Sequence, residues 1–199
     1  MKSLRHSQKI LFLGSEGNVI CSRLKKTFSV TLWSAPLDFN NPLIDECDLA
    51  VSFGYRHIIK PLVLRRFKRP VINLHISYLP WNRGADPNLW SFLEKTPSGV
   101  TIHQMDQGVD TGPIYDQARV DQNLKTGTLA TSYEKLVKEI EKLFFKNLPK
   151  ILSQEIDLKA QISGGSFHKS KDKQQYLKLL HSGWNTPLRD IWGAACDSK

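Results

Sequence analysis

Asn73, His75 and Asp110 bring an amide, an imidazole and a carboxylate into one part of the chain. These are side chains that donate hydrogen bonds, carry protons and hold charge. Val71 to Leu74 is a short apolar run ending in turn-rich sequence, which reads as a buried strand. Side chains alternate along a strand, so Asn73 and His75 share a face at its carboxyl end. Gly99 to Met105 reads as a second strand, and Met105 to Thr111 as a polar loop that carries Asp110. In open parallel sheets ligands bind beyond the carboxyl ends of the strands, so the three groups can converge there. A buried polar side chain left unpaired costs about 1–3 kcal/mol, so each needs a partner. The alternative is a buried Asn and His that satisfy backbone groups, with an Asp that caps a turn.

Positioning these groups requires a sheet, and the sequence supplies one. Lys9–Gly14, Phe28–Trp33 and Asp48–Phe53 read as strands before Asn73, and Ile114–Gln122 as an edge strand after Asp110. Val19–Lys26 and Pro61–Arg66 read as helices, the second opened by a proline in its first turn. Asp86 is expected to cap a helix that starts at Pro87 and runs through Glu94. Leu136, Ile140, Leu143 and Phe144 recur at helical spacing in a long helix expected over 129–147. Glu155–Ile162 reads as a strand, and Gln174–His181 and Pro187–Ala195 as two closing helices. The alternation implies an α/β fold, a Rossmann-like open, mostly parallel sheet with helices on both faces. We expect a catalytic domain over 1–150 and a short C-terminal extension, 151–199, packing on it.

Three loops carry further candidates. Gly14 to Asn18 is a strand-to-helix turn, either a plain tight turn or an anion site; it lacks the full dinucleotide fingerprint. Pro80 to Gly84 reads as a rigid turn in which Arg83 fits a phosphate or carboxylate. Trp81 there either stacks on a ring or covers core. His103 reads as a satisfied histidine behind the site rather than a catalytic one.

The 199 residues carry a formal net charge of +9, which favours anionic partners without choosing among phosphates, nucleotides, carboxylates and nucleic acid. Hydrophobic residues make up 40%, as in a globular chain. No run reaches the length of a membrane helix, and no secretory h-region follows Met1 to His6. Cys21, Cys47 and Cys196 show neither metal spacing nor a disulfide framework, so a reducing cytoplasm is expected and no metal.

The blocks Asn73-Leu74-His75, Leu79-Pro80, Arg83-Gly84 and Gly99 through Gly112 occur in one order. Together they resemble the formyltransferases that use 10-formyltetrahydrofolate, over about residues 10 to 120. Those include the methionyl-tRNA, glycinamide ribonucleotide and sugar N-formyltransferases. The resemblance implies that Asn73, His75 and Asp110 are catalytic and that Tyr55, Arg56, His57 and Ile58 wrap the pterin of the folate co-substrate. Met105, Asp106 and Gly108 then join the folate side, and Gly17, Asn18, Trp81, Arg83 and Gly84 the substrate side. It also implies that Asn73 donates to the oxyanion, and that Asp110 holds His75 and favours its charged form. Ile76 departs from the proline common in relatives at that position. Gly164 to Asp172 reads as a basic turn, and its aromatic-His-basic-x-x-Asp element, Phe167 to Asp172, is similar to a segment of the sugar N-formyltransferases, which adds His168 as a substrate contact and favours a nucleotide-linked amino sugar. Glycinamide ribonucleotide or another small amine is the second choice of substrate, and a basic nucleic-acid-binding module without catalysis the third reading. A homodimer is allowed, a membrane partner is not expected, and no large second domain of the methionyl-tRNA type is expected.

Overall fold

The computed structural model describes residues 8–196. The elements in chain order are β1 (Lys9–Gly14), α1 (Val19–Leu24), β2 (Ser29–Trp33), α2 (Leu43–Glu46), β3 (Leu49–Phe53), α3 (Pro61–Leu64) and β4 (Ile72–His75). They continue with β5 (Arg83–Gly84), α4 (Pro87–Leu93), β6 (Gly99–Gln104), β7 (Ile114–Arg119), α5 (Leu129–Ser153), β8 (Phe167–His168) and α6 (Leu188–Ile191). The main sheet has the order β2-β1-β3-β4-β6-β7, and β5 pairs with β8 apart from it. β1 to β4 are parallel, and β4–β6 and β6–β7 are antiparallel, so β6 alone runs against the other five. The expected open, mostly parallel α/β sheet is the fold observed.

Alternation in β1 explains the two layers. Ile10 and Phe12 face a cluster with Ile20 and Leu24 of α1 and Leu136, Ile140 and Phe144 of α5. Leu11 and Leu13 face the opposite cluster with Ile44 of α2 and Val63 of α3. A strand covered on both faces reads as an unbroken apolar run, which is why β1 and β3 are plain in the sequence.

α5 is longer than the sequence suggests. Thr128 and Thr131 cap it reciprocally, each hydroxyl accepting from the other's backbone N–H at 3.3 and 2.9 Å. The helix was expected to stop at Asn147, before Pro149, yet it runs to Ser153. Leu148 and Ile151 are buried in the core, and Arg69 donates to the carbonyls of Ile151 and Leu152. Tertiary contacts there outweigh the missing proline N–H.

Four other expectations fail locally. Glu155–Ile162 is not a strand: Lys159 alone bridges to Ile114, and Gln161 then turns inward. Gln174–His181 lies mostly in a 3-10 run, Asp172–Leu179, in which only Tyr176 is buried, so no apolar stripe sustains an α-helix. Only Leu188–Ile191 of the last expected helix is helical, because Gly193 and Ala195 donate to the carbonyls of Phe92 and Leu93 at the end of α4. Asp86 occupies the cap position of α4 but makes no side-chain cap. It has φ +53°, and its carboxylate pairs with Lys173 at 2.9 Å. The expectation concerning Met1 to His6 lies outside the described residues.

Candidate active site

The sheet register brings the polar groups together. β4 and β6 pair so that Asn73 lies opposite His103 and His75 opposite Thr101. Leu74, on the other face, packs into the α1–α5 core and fixes which way its neighbours point. The connection from β6 to β7 leaves beside Ile72, and Asp110 within it adopts φ +54°. Its carboxylate thereby reaches groups on three segments.

Oδ1 of Asp110 accepts from the Asn73 amide at 3.0 Å and lies 3.4 Å from Nε2 of His103. Oδ2 accepts from the backbone N–H of Gly84 at 2.8 Å and faces Nδ1 of His75 at 3.7 Å. Nε2 of His75 donates to the carbonyl of Asn82 at 3.2 Å, since a carbonyl can only accept. Nδ1 of His103 donates likewise to the carbonyl of Gln104 at 2.7 Å. The second N–H of Asn73 then goes to Nε2 of His103 at 3.2 Å. Both donors of Asn73 are therefore spent inside the network.

Burial pushes His75 below the ordinary imidazole value. The Asp110 charge opposes that and is outweighed, and His103 adds to the lowering. The Asp110 charge favours protonated His75, as expected, and burial of the imidazole outweighs it. Burial alone would raise the Asp110 carboxyl. Positive charge on the facing His75 as pH falls, with the Gly84 N–H, holds it well below the usual carboxylate range.

Other expected site residues stand elsewhere or serve the frame. Tyr55, Arg56, His57 and Ile58 follow β3, whose carboxyl end lies beside that of β4. Arg56, His57 and Ile58 are exposed, Ile58 at 83%. The Tyr55 hydroxyl donates to the carbonyl of Ala35, and its ring meets His57 edge-on. Met105 packs against the α2–α3 core, and Asp106 accepts from the Gly108 N–H and the Thr111 hydroxyl. Gly17 forms the turn, while the Asn18 side chain caps α1 through the N–H groups of Ile20 and Cys21. Trp81 is half-buried, and its N–H and carbonyl are held by Tyr78 and Ser77. Gly84 gives its backbone N–H to Asp110. His168 is buried, stacked on Trp90 at 3.8 Å and 3.2 Å from Glu94. The Trp90 ring covers one face of the imidazole, and the Glu94 carboxylate faces its Nε2.

Three participants had no signal in the sequence. Gln161 holds the backbone of the Asp110 loop. Asn82 offers the carbonyl that orients His75, and Ser166 holds Asn82 by its N–H and its side chain. Asn82 and Ser166 are 84 positions apart, a separation that leaves no periodic pattern. Among the described residues, no group of His, Cys, Asp and Glu could hold a metal ion, and no helix is long and apolar enough to cross a membrane.

A family model described as formyl transferase matches residues 43–148, which include all of this cluster except its C-terminal braces. The chain belongs to the formyl transferase family. The formyltransferase PseJ from Anoxybacillus kamchatkensis, solved with UDP-4,6-dideoxy-4-formamido-L-AltNAc and tetrahydrofolate, is similar at 48% identity and a TM-score of 0.89. The likeness covers 94% of this chain and 99% of that one. A 4-N formyltransferase from Francisella tularensis shares the fold at 24% identity and a TM-score of 0.75, over 85% of this chain and 79% of its own. The bifunctional polymyxin resistance protein ArnA of Wigglesworthia glossinidia brevipalpis is 34% identical over 150 residues, 73% of this chain and 22% of that protein. The formyl transferase chain spans between 22% and 37% of the length of the curated relatives it matches.

Proposed function

We propose that this protein transfers the formyl group of 10-formyltetrahydrofolate to the primary amine of a nucleotide-linked amino sugar. The observation that carries the reading is the likeness, along nearly the whole of both chains, to PseJ bound to a formamido UDP-sugar and tetrahydrofolate. The geometry supplies the chemistry. The loops after β1, β3 and β4 leave the sheet at one end, where the strands' carboxyl termini meet. The folate supplies an activated formyl carbon. The Tyr55–His57 aromatic pair and exposed Ile58 offer a surface suited to a flat ring.

Transfer requires an uncharged amine. Its nitrogen forms a bond to the formyl carbon, negative charge develops on the formyl oxygen, and a proton leaves the amine. The bond to the folate nitrogen then breaks, and that nitrogen keeps the electron pair and takes a proton. His75 is neutral at rest, so it can accept the amine proton; ionised Asp110 at 3.7 Å then faces an imidazolium and stabilises it. A donor role for Asn73 requires it to exchange one of its two internal bonds for the formyl oxygen. Arg83 has no carboxylate partner among the described residues, which suits it to the diphosphate of the sugar nucleotide. We place the enzyme in the cytoplasm, the compartment its unpaired cysteines suit.

Incubation with 10-formyltetrahydrofolate and a panel of UDP- and dTDP-linked amino sugars, alongside glycinamide ribonucleotide, tests the proposal. A formamide product on at least one nucleotide sugar is expected by mass spectrometry. Transfer to glycinamide ribonucleotide alone, or to nothing, overturns it.

A further inference from the structure

Gln161 sits between two parts of the site that the sequence keeps far apart. Its Nε2 donates to the carbonyls of Asp110 and Gly112 at 2.8 and 2.9 Å. Its Oε1 accepts from Nε and Nη2 of Arg83 at 3.3 and 3.2 Å. A side-chain amide has two N–H donors and two lone pairs on its oxygen, and all four are used. Two carbonyls on one side and a guanidinium on the other admit only one orientation of the amide. Asp110 is a non-glycine residue at φ +54°, a conformation that persists only where the surroundings impose it. Arg83 directly precedes Gly84, whose N–H binds the Asp110 carboxylate. One side chain thus fixes the backbone behind the carboxylate and the cation beside its backbone donor.

We infer that Gln161 is a positioning residue for formyl transfer, joining the Asp110 loop to an Arg83 set to receive the diphosphate of the nucleotide sugar. The inference rests on the proposed function for its kinetic consequence, and on the hydrogen-bond geometry for its structural one. Gln161 does not contact the reacting atoms; it acts through Asp110 and Arg83. Loss of the clamp lets the carboxylate drift from His75, and a misplacement of about 1 Å can cost on the order of 10²-fold in rate. It also withdraws from His75 the charge that favours its protonated form, so the acid limb of the pH–rate profile moves to lower pH.

The test compares the parent protein with Gln161→Leu and Gln161→Glu. Leu removes both sets of bonds, whereas Glu keeps an acceptor for Arg83 and loses both donors to the loop. Both variants are expected to lose about 10- to 100-fold in kcat with the KM for folate unchanged and the acid limb lowered. Leu alone is expected to lose its hold on Arg83 without placing a new charge beside it. Its KM for the nucleotide sugar then rises, and inorganic pyrophosphate inhibits it less than it inhibits the parent. A kcat within twofold of the parent and an unmoved acid limb in a folded variant overturn the inference. If the parent formylates no nucleotide sugar, the proposed function fails, and hydrogen exchange of residues 104–113 still decides the structural claim. Exchange at least tenfold faster in Gln161→Glu or Gln161→Leu supports the clamp; unchanged exchange overturns it. Should Leu fail to fold, the Glu variant carries both readouts.

Discussion

The floor of the site and its rim are built on opposite terms. On the floor, Asn73, His75, His103 and Asp110 are held by one another and by Gly84, Asn82 and Gln161, and both His75 and His103 are buried. On the rim, Arg56, His57 and Ile58 stand in solvent after β3, and Leu62 at the start of α3 is 61% exposed. The difference teaches where each kind of free energy resides. The floor is ordered before any ligand arrives, which suits groups that must act on developing charge without reorganising. The rim keeps apolar surface uncovered, and covering it would be favourable.

The comparison breaks first if floor substitutions are mild. His75→Ala and Asp110→Ala are expected to lower kcat by at least about 10²–10³, with little change in KM for folate. Steady-state rates within tenfold of the parent in either variant contradict a preorganised floor.

Next in size is the joint between floor and C-terminal segment. Gly84 has φ +86°, and a Cβ there runs into the carbonyl of His168 across the β5–β8 pair. Gly84→Ala is expected to cost about 1–3 kcal/mol of stability in urea unfolding and to lower kcat as well. An unchanged midpoint denies the close approach.

The rim should show the reverse pattern. Ile58→Ser is expected to leave stability within about 0.5 kcal/mol of the parent, since it touches no core. It should raise the KM for folate several-fold at constant kcat, the mark of lost uniform binding. A fall in kcat without a change in KM would move Ile58 from rim to floor.

The smallest effect is on pH dependence. The His75 imidazole is depressed from its ordinary 6.5, so below that pH the unfolded chain binds a proton that the folded one refuses. Stability therefore falls as pH drops through 6.5, and the loss continues until the depressed value is reached. Asp110 acts in the same direction lower on the scale: its contribution is present above the ordinary carboxylate value of 3.8 and is lost as pH falls from there toward its low folded value. His75→Gln is expected to flatten the melting temperature against pH between about pH 5 and 7. An identical slope denies the burial effect.

Much of the floor was legible because strands impose a period. Alternation places Asn73 and His75 on one face, and apolar runs mark β1, β3 and β4. Asp110 was legible from its motif, since nothing local announces that its loop folds back along β4. The braces were not legible. Gln161 meets Arg83 and Asp110 across 78 and 51 positions, and such contacts leave no mark in a window of neighbouring residues. Asp86 misled because an Asp before a Pro signals a cap, whereas Lys173 takes the carboxylate instead. Pro149 misled because local propensity ignores the core contacts of Leu148 and Ile151.

The pairing of Gly84 with His168 sets an order of events during synthesis. All six strands of the main sheet are on the growing chain once Arg119 has left the ribosome. Gln161, Ser166 and His168 come some forty residues later. A nascent chain can therefore carry every strand of its main sheet while Asp110 still lacks the tie to Gln161.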